Sequence, residues 1–376
     1  MDTLKNAVDL NVRGTQKVID LSRKMKKLQS FVYCSTTYSN CELIWTTEKV
    51  YPMDFDVPKI VESLETMEDS LAEAITPTLM GDKYNTYCLT KAIAENVVSD
   101  MGNEIPAVIL RPSLVTGIWR DGIRGWVYGN SGETAFFFAS YSGMHVPVGL
   151  HNNVADTVPV DIVSNMIIVA AAQRCLSKSS SVPVLHCASS DLNPVAQKTG
   201  FNVFAKTRWS APLEKSLGSW GEHFEPQIVT KVRHAVREGV VGPILDGVRA
   251  VQGKKPFYGR VFSQVSDLYD VLLPGISRSF HFESKGLVPL YESMQPADQQ
   301  LFNFDIRQVE WSDYLVDYMI GIKSSYAPVE MFALLVALAY VPAFLLNRPF
   351  TSTPNIKSFE KYKKEQELED TTRITW

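Results

Sequence analysis

A phosphate-cradling glycine turn is lacking ahead of Tyr87: the first glycine, Gly14, already sits inside a helical repeat, and no Gly-x-x-Gly-x-x-Gly follows an apolar run there. Cysteine is sparse too. Cys34, Cys41, Cys88, Cys175 and Cys187 are odd in number and show no C-x-x-C spacing, which argues against a disulfide framework or a zinc site and for free thiols in a reducing, intracellular setting. There is no basic surplus, and a net charge of -4 offers no electrostatic footprint for nucleic acid. The N-terminal residues do not read as a secretory leader, because charges interrupt every apolar run up to Lys27 and no small-residue cleavage site follows. Internal repeats and low-complexity tracts are missing as well. With 45% hydrophobic and 21% charged residues the composition is that of a folded protein, and 376 residues favour two or three domains.

What is present alternates between helical and strand patterns. Leu4, Ala7, Val8, Leu10, Val12, Val18, Ile19 and Leu21 fall largely on one helical face, and the basic cluster from Arg23 to Lys27 suits a helix C-terminal end. The chain thus enters a fold with no strand ahead of its first helix. Phe31 to Cys34 is a short buried strand, followed by the hydroxyl cluster Ser35, Thr36 and Thr37. Residues 42–80 mix prolines with an acidic run and are expected to form a surface excursion with one amphipathic helix. Residues 105–112, IPAVILRP, form a second strand stopped by Pro112 and followed by Ser113. Residues 154–173 are a short strand and a helix capped near Asp161, and Val184 to Cys187 is another strand. This order implies a parallel sheet with helices packed on it, and in such sheets active sites lie at the carboxyl ends of the strands.

Between the first two long strands, Tyr87 stands four residues before Lys91 at the start of a helix. One helical turn separates them, about 5–6 Å at Cβ, close enough for the cation to lower the tyrosine pKa. A tyrosine so placed can protonate a carbonyl oxygen as hydride arrives. A Tyr-x-x-x-Lys pair occurs by chance in a chain of this length, and strand-end turn chemistry accounts for an isolated Ser or Thr cluster; their convergence is what points to carbonyl reduction. Trp126, Phe136 to Phe138 and Tyr141 are available to line an apolar channel, and core packing explains them equally well. From 196 to 328 helices separated by turns are expected, with an amphipathic helix over 304–323 whose face carries Ile306, Val309, Trp311, Tyr314, Leu315, Tyr318 and Met319. Met331 to Leu346 is a continuous apolar run, short for a membrane span, which needs about 20 apolar residues. A membrane anchor over 329–350 is expected, leaving a buried or re-entrant segment open, with a charged tail over 351–376 that carries no peroxisomal or prenylation signal.

Taken together, NVRGTQKVIDLSRKMKKLQSFVYCSTTYSN, NTYCLTKAIAE, ILRPSLVTGIW, GWVYGNSG, VADTVPVDIVSNMIIVAA and HCASSDLNPV resemble, in order, segments of the alcohol-forming fatty acyl-CoA reductases, the male-sterility family of the extended short-chain dehydrogenase/reductases. The resemblance implies a partial doubly wound, Rossmann-like parallel sheet missing its first strands and glycine turn over 1–195, then a mainly helical C-terminal domain. It implies NADPH-dependent reduction of a long-chain fatty acyl-CoA through an aldehyde to the alcohol, with no metal, on a membrane of the peroxisome or endoplasmic reticulum. Tyr87 would be the general acid and Lys91 its partner on the nicotinamide ribose. Ser35 or Thr36 would orient the carbonyl, Ser35 being preferred slightly though sequence does not separate them. Pro112 and Ser113 would lie against the nicotinamide, and Asn11 would be structural. A chain holding the chemistry half without the cofactor half is expected to be either part of a longer reductase or a non-catalytic, membrane-associated acyl-binding or interaction protein. A nucleotide-sugar epimerase or dehydratase is disfavoured by the apolar run.

Overall fold

The computed structural model describes residues 3–101, 104–128, 134, 137, 153–177, 179, 181–210 and 227–326. The Thr3 side chain caps α1 (Leu4–Val8) by accepting from Asn6 N. From there the helix widens into a π turn (Asp9–Arg13) before continuing as α2 (Gly14–Arg23). The extra residue in that turn resets the phase of the apolar stripe. Leu4, Ala7, Val8, Val12 and Ile19 are therefore buried, whereas Leu10, Val18 and Leu21, expected on the same face, are exposed.

Three strands form the central sheet: β1 (Phe31–Cys34), β3 (Ala107–Pro112) and β7 (Val184–Cys187), all parallel in the order β1-β3-β7. Helix α5 (Thr86–Met101) links the first two and α6 (Val160–Leu176) the last two. Strand β3 is buried along its whole length because it is covered on both faces, which is why its sequence is a continuous apolar run rather than an alternation. Its successive residues serve opposite layers. Ile109 joins Leu4, Val8, Ile19, Leu89 and Ile93 on one side, while Leu110 joins Ile162, Met166 and the C-terminal helices on the other. The architecture is α/β, a parallel sheet between helical layers, followed by a mainly helical part.

Two local expectations are corrected. Residues 42–80 hold two helices, α3 (Val57–Thr66) and α4 (Asp69–Met80), separated at Met67 by an extended residue; the Asp56 side chain caps the first by accepting from Lys59 N. Asp161 lies in the first turn of α6 but does not cap it. Its carboxylate instead accepts the backbone N–H groups of Trp119, Arg120 and Asp121 at 2.9, 2.9 and 3.1 Å, organising the loop after β4 (Leu114–Thr116).

Short two-stranded pairings join segments distant in sequence. β2 (Trp45–Thr46) pairs with β9 (His281–Phe282), β4 with β6 (Thr157–Pro159), and β5 (Val154–Ala155) with β8 (Val195–Ala196). Helix α7 (Gln197–Ser210) packs on α13 (Trp311–Tyr326), which buries Trp311, Tyr314, Leu315, Tyr318 and Met319 as the pattern of 304–323 predicts. The loop after β4 also lies close against α13, and that approach depends on two glycines. A Cβ on Gly321 would strike the carbonyl of Gly125, and one on Gly125, whose φ is 73°, would strike the carbonyl of Asp317. Among the described residues no helix is long and apolar enough to cross a membrane, and the apolar run 331–346 lies outside them.

Candidate active site

Helix α5 brings the first pair of predicted residues to the carboxyl end of β1. The Asn85 side chain accepts from Cys88 N at 2.8 Å at the start of the helix, so Tyr87 and Lys91 share the face directed at that strand end. The Lys91 ammonium donates to the Cys34 carbonyl at 3.0 Å and lies 5.2 and 5.9 Å from the ring centroids of Tyr33 and Tyr87. Tyr87 keeps 48% of its surface open. The expected lowering of its pKa is absent. Partial burial, with the neighbouring thiols of Cys88 and Cys34, pushes Tyr87 up to about 12, and burial pushes Lys91 down, its ammonium donating to the Cys34 carbonyl. At neutral pH the phenol holds its proton, the form a general acid requires.

The hydroxyl cluster divides once partners are counted. Ser35 Oγ donates to Glu95 Oε1 at 2.5 Å, and Ser39 Oγ donates to the same oxygen at 3.2 Å. Glu95 is clamped by Arg111, whose Nε and Nη2 donate to its two oxygens at 2.8 and 2.6 Å, with both side chains 1% exposed. Arg111 also donates to the carbonyls of Thr47 and Lys49 and, at 3.0 Å, to His186 Nε2. Arginine is an obligatory donor, so His186 accepts at Nε2 and donates from Nδ1 to the Glu283 carbonyl at 2.8 Å. Burial and the guanidinium hold His186 neutral, with its pKa lowered to about 3. Glu48 completes the network by accepting from the backbone of His186 and Gly286 at 2.8 and 2.7 Å.

Sequence reasoning missed Glu95, Arg111, His186 and Glu48. A signal existed for two of them: Glu95 lies one further turn beyond Lys91 on the same helix, and Arg111 is a charge inside an otherwise apolar strand. Nothing in the sequence pairs them with each other or with His186.

Thr36 has a different role from Ser35. Its Oγ1 accepts from Tyr38 N at 3.3 Å, capping the 3₁₀ turn Thr37–Asn40, and meets no acceptor for its own proton among the described residues. That turn packs on α5 and is pinned by the Lys83 ammonium, which donates to the Ser39 carbonyl and to Glu42. At the end of β3, Pro112 is buried opposite Cys187, and Ser113 N donates to the Cys187 carbonyl at 3.0 Å. The Ser113 hydroxyl is buried and has no partner among the described residues. Asn11, on the π turn, donates to Thr90 Oγ1 at 3.0 Å and so ties that turn to α5.

An apolar cleft of about 710 Å³, open mouth included, begins beside these strand ends at Tyr38 and Leu114 and runs toward Phe137, Phe201, Gly275 and Leu315. Phe137 thus lines the cleft, meeting Phe201 and Tyr318 at ring-centroid distances of 6.2 and 5.9 Å. Trp126 is set apart from it, half exposed and stacked on Tyr128. Tyr141 lies outside the described residues.

One family model described as male sterility protein matches residues 1–167, and a second with the same description matches 238–326. The chain belongs to the male sterility protein family. Fatty acyl-CoA reductase 2 of Bos taurus is 32% identical to it over 325 residues, covering 86% of this chain and 63% of the relative. Fatty acyl-CoA reductase 1 of Xenopus laevis is 32% identical over 339 residues, covering 88% and 64%. This male sterility chain therefore spans just under two thirds of the length of the curated relatives it matches. Its fold is similar to that of the terminal R domain of the myxalamid PKS-NRPS biosynthetic pathway, with a TM-score of 0.50 at 14% identity, covering 84% of this chain and 63% of that one.

The residues of the male sterility chain fit one edge of a nicotinamide cofactor. The unpartnered Ser113 hydroxyl and the buried Pro112 form a floor at the end of β3, and the Lys91 ammonium has donors to spare beside the end of β1. Among the described residues no three His, Cys, Asp or Glu side chains gather as metal ligands would.

Proposed function

We propose that this chain carries the carbonyl-side machinery of an NADPH-dependent reductase acting on long-chain fatty acyl-CoA, as part of a reductase that forms the alcohol by way of the aldehyde. The observation that carries this reading is Tyr87 beside Lys91 at the end of β1, on a sheet where Tyr38 and Leu114, a few residues past the β1 and β3 ends, line an apolar cleft. The similarity of the chain to fatty acyl-CoA reductases supports it.

Lys91, Pro112 and Ser113 would hold the nicotinamide end of the cofactor, which when bound supplies hydride. Tyr87 gives its proton to the substrate oxygen as negative charge develops there, and Lys91 stabilises the phenolate left behind. Thr36, whose proton is uncommitted, orients that oxygen, while Ser35, engaged by Glu95, keeps the strand end rigid. The cleft from Tyr38 to Leu315 receives the acyl chain and keeps water from the thioester. Each of the two reductions consumes one hydride and one proton; the first breaks the thioester C–S bond and releases CoA as the thiol.

The full-length reductase that contains this chain is mixed with NADPH and a long-chain acyl-CoA, and both NADPH oxidation and alcohol are followed. Turnover is expected, and Tyr87→Phe is expected to lower it by about 10²–10⁴-fold with NADPH binding retained. Unchanged turnover in Tyr87→Phe removes that residue from its role. Acyl-CoA binding with neither NADPH binding nor oxidation replaces this reading with that of a non-catalytic acyl-binding protein.

A further inference from the structure

A second surface lies away from the strand ends. Helix α8 (Gln227–Val236) continues through a π turn (Arg237–Val241) into α9 (Gly242–Val251). Along this run Ile228, Val232, Val236, Val240, Ile244 and Val248 recur every four residues, each 47–67% exposed. Val251 at its end is 90% exposed. A four-residue step overshoots a 3.6-residue turn by about 40°, so five steps would carry a stripe about 200° around a regular helix. The wider π turn takes back part of that drift and keeps the apolar side chains on one side.

The stripe is not what holds the run in place. Its inner side packs on α10 (Tyr258–Ile276), where Gly242 meets Gly259 so closely that a Cβ would lie 3.2 Å from the opposing Cα. The Asp246 carboxylate accepts the N–H groups of Phe257, Tyr258 and Gly259 at 2.7, 2.8 and 3.0 Å, capping α10, and the His234 ring stands edge-on to Tyr269. With the inner side so engaged, the β-branched stripe remains outward.

Charge indicates what the stripe faces. Residues 227–255 contain six basic side chains, Lys231, Arg233, Arg237, Arg249, Lys254 and Lys255, against Glu238 and Asp246, in a chain whose net charge is -4. Lys231, Lys254 and Lys255 are exposed. An exposed apolar stripe on a locally cationic helix is the pattern of a helix lying in the headgroup region of a bilayer, and 25 residues give it about 37 Å of contact. We propose that the helical run 227–251, with the turn that follows it through Lys255, is a docking segment for an anionic lipid surface, the stripe entering the headgroup–acyl boundary and the lysines binding lipid phosphates and carboxylates.

The test uses the whole chain with vesicles of phosphatidylcholine mixed with phosphatidylserine, and of phosphatidylcholine alone. Flotation with the anionic vesicles is expected, together with slowed amide hydrogen exchange across 228–251 on their addition. Val240→Asp/Ile244→Asp lowers this binding by about tenfold or more, and Lys254→Glu/Lys255→Glu lowers it by about tenfold with a strong dependence on salt; both changes are on exposed side chains, so circular dichroism should be unaltered. Flotation that survives Val240→Asp/Ile244→Asp with no change in exchange at 228–251 overturns the proposal and points to the apolar run 331–346. Exchange at 228–251 that slows with protein concentration before any vesicle is added overturns it in favour of a second copy of this chain.

Discussion

The ends of β1 and β3 are adjacent in the sheet and carry equally buried serines, Ser35 at 5% exposure and Ser113 at 6%, yet their hydroxyls meet opposite circumstances. Ser35 is held by Glu95, and through it by Arg111 and His186. The Ser113 hydroxyl has no partner among the described residues. The difference shows that a hydroxyl at a strand end is not yet a functional group. One already engaged by a buried carboxylate stiffens the scaffold, whereas one with an open valence can meet a ligand, and the same reasoning prefers Thr36 to Ser35.

The comparison breaks most readily at Glu95. Glu95→Gln leaves the Arg111 guanidinium buried without its carboxylate, and urea denaturation should show a loss of about 3–5 kcal/mol. A loss below about 1 kcal/mol would mean that water or another acceptor replaces the carboxylate and that the β1 end is not rigid in the sense argued.

Next comes pH. His186 is held neutral in the fold with a pKa of about 3 against an ordinary 6.5, so as pH falls through 6.5 the unfolded chain takes up a proton the folded chain refuses. Stability therefore drops as pH is lowered between those values, by an amount on the order of 5 kcal/mol at most. Burial of Glu48 raises its pKa and acts in the opposite sense, so the comparison of wild type with His186→Gln isolates the histidine. A variant whose acid limb matches that of the wild type would show that His186 already accepts a proton in the fold.

The smallest effects separate the two serines. Ser35→Ala removes a hydrogen bond to a buried carboxylate and should cost about 1.5–3 kcal/mol, while Ser113→Ala removes a buried hydroxyl with no hydrogen bond to lose and should not destabilise. Equal costs in thermal unfolding would erase the distinction between the two strand ends.

Much of the frame was legible beforehand. Phe31 to Cys34, Val184 to Cys187 and the strand ending at Pro112 were readable because short apolar runs bounded by polar or proline residues have few other uses, and the face from Ile306 to Met319 because its period matches a helix. The N-terminal stripe was misread because a π turn leaves no mark in residue types, and α3 and α4 merged because Met67 breaks the helix through its backbone alone.

By itself the sequence determined that Tyr87 and Lys91 share a helix face at the carboxyl end of a parallel strand, because helical and strand periods are local properties of the chain. Which hydroxyls are free, that Tyr87 is raised and not lowered, and that Glu95, Arg111 and His186 form one buried network were decided only by tertiary structure. Desolvation and hydrogen-bond valence depend on residues separated by up to 238 positions, and no local pattern records those distances.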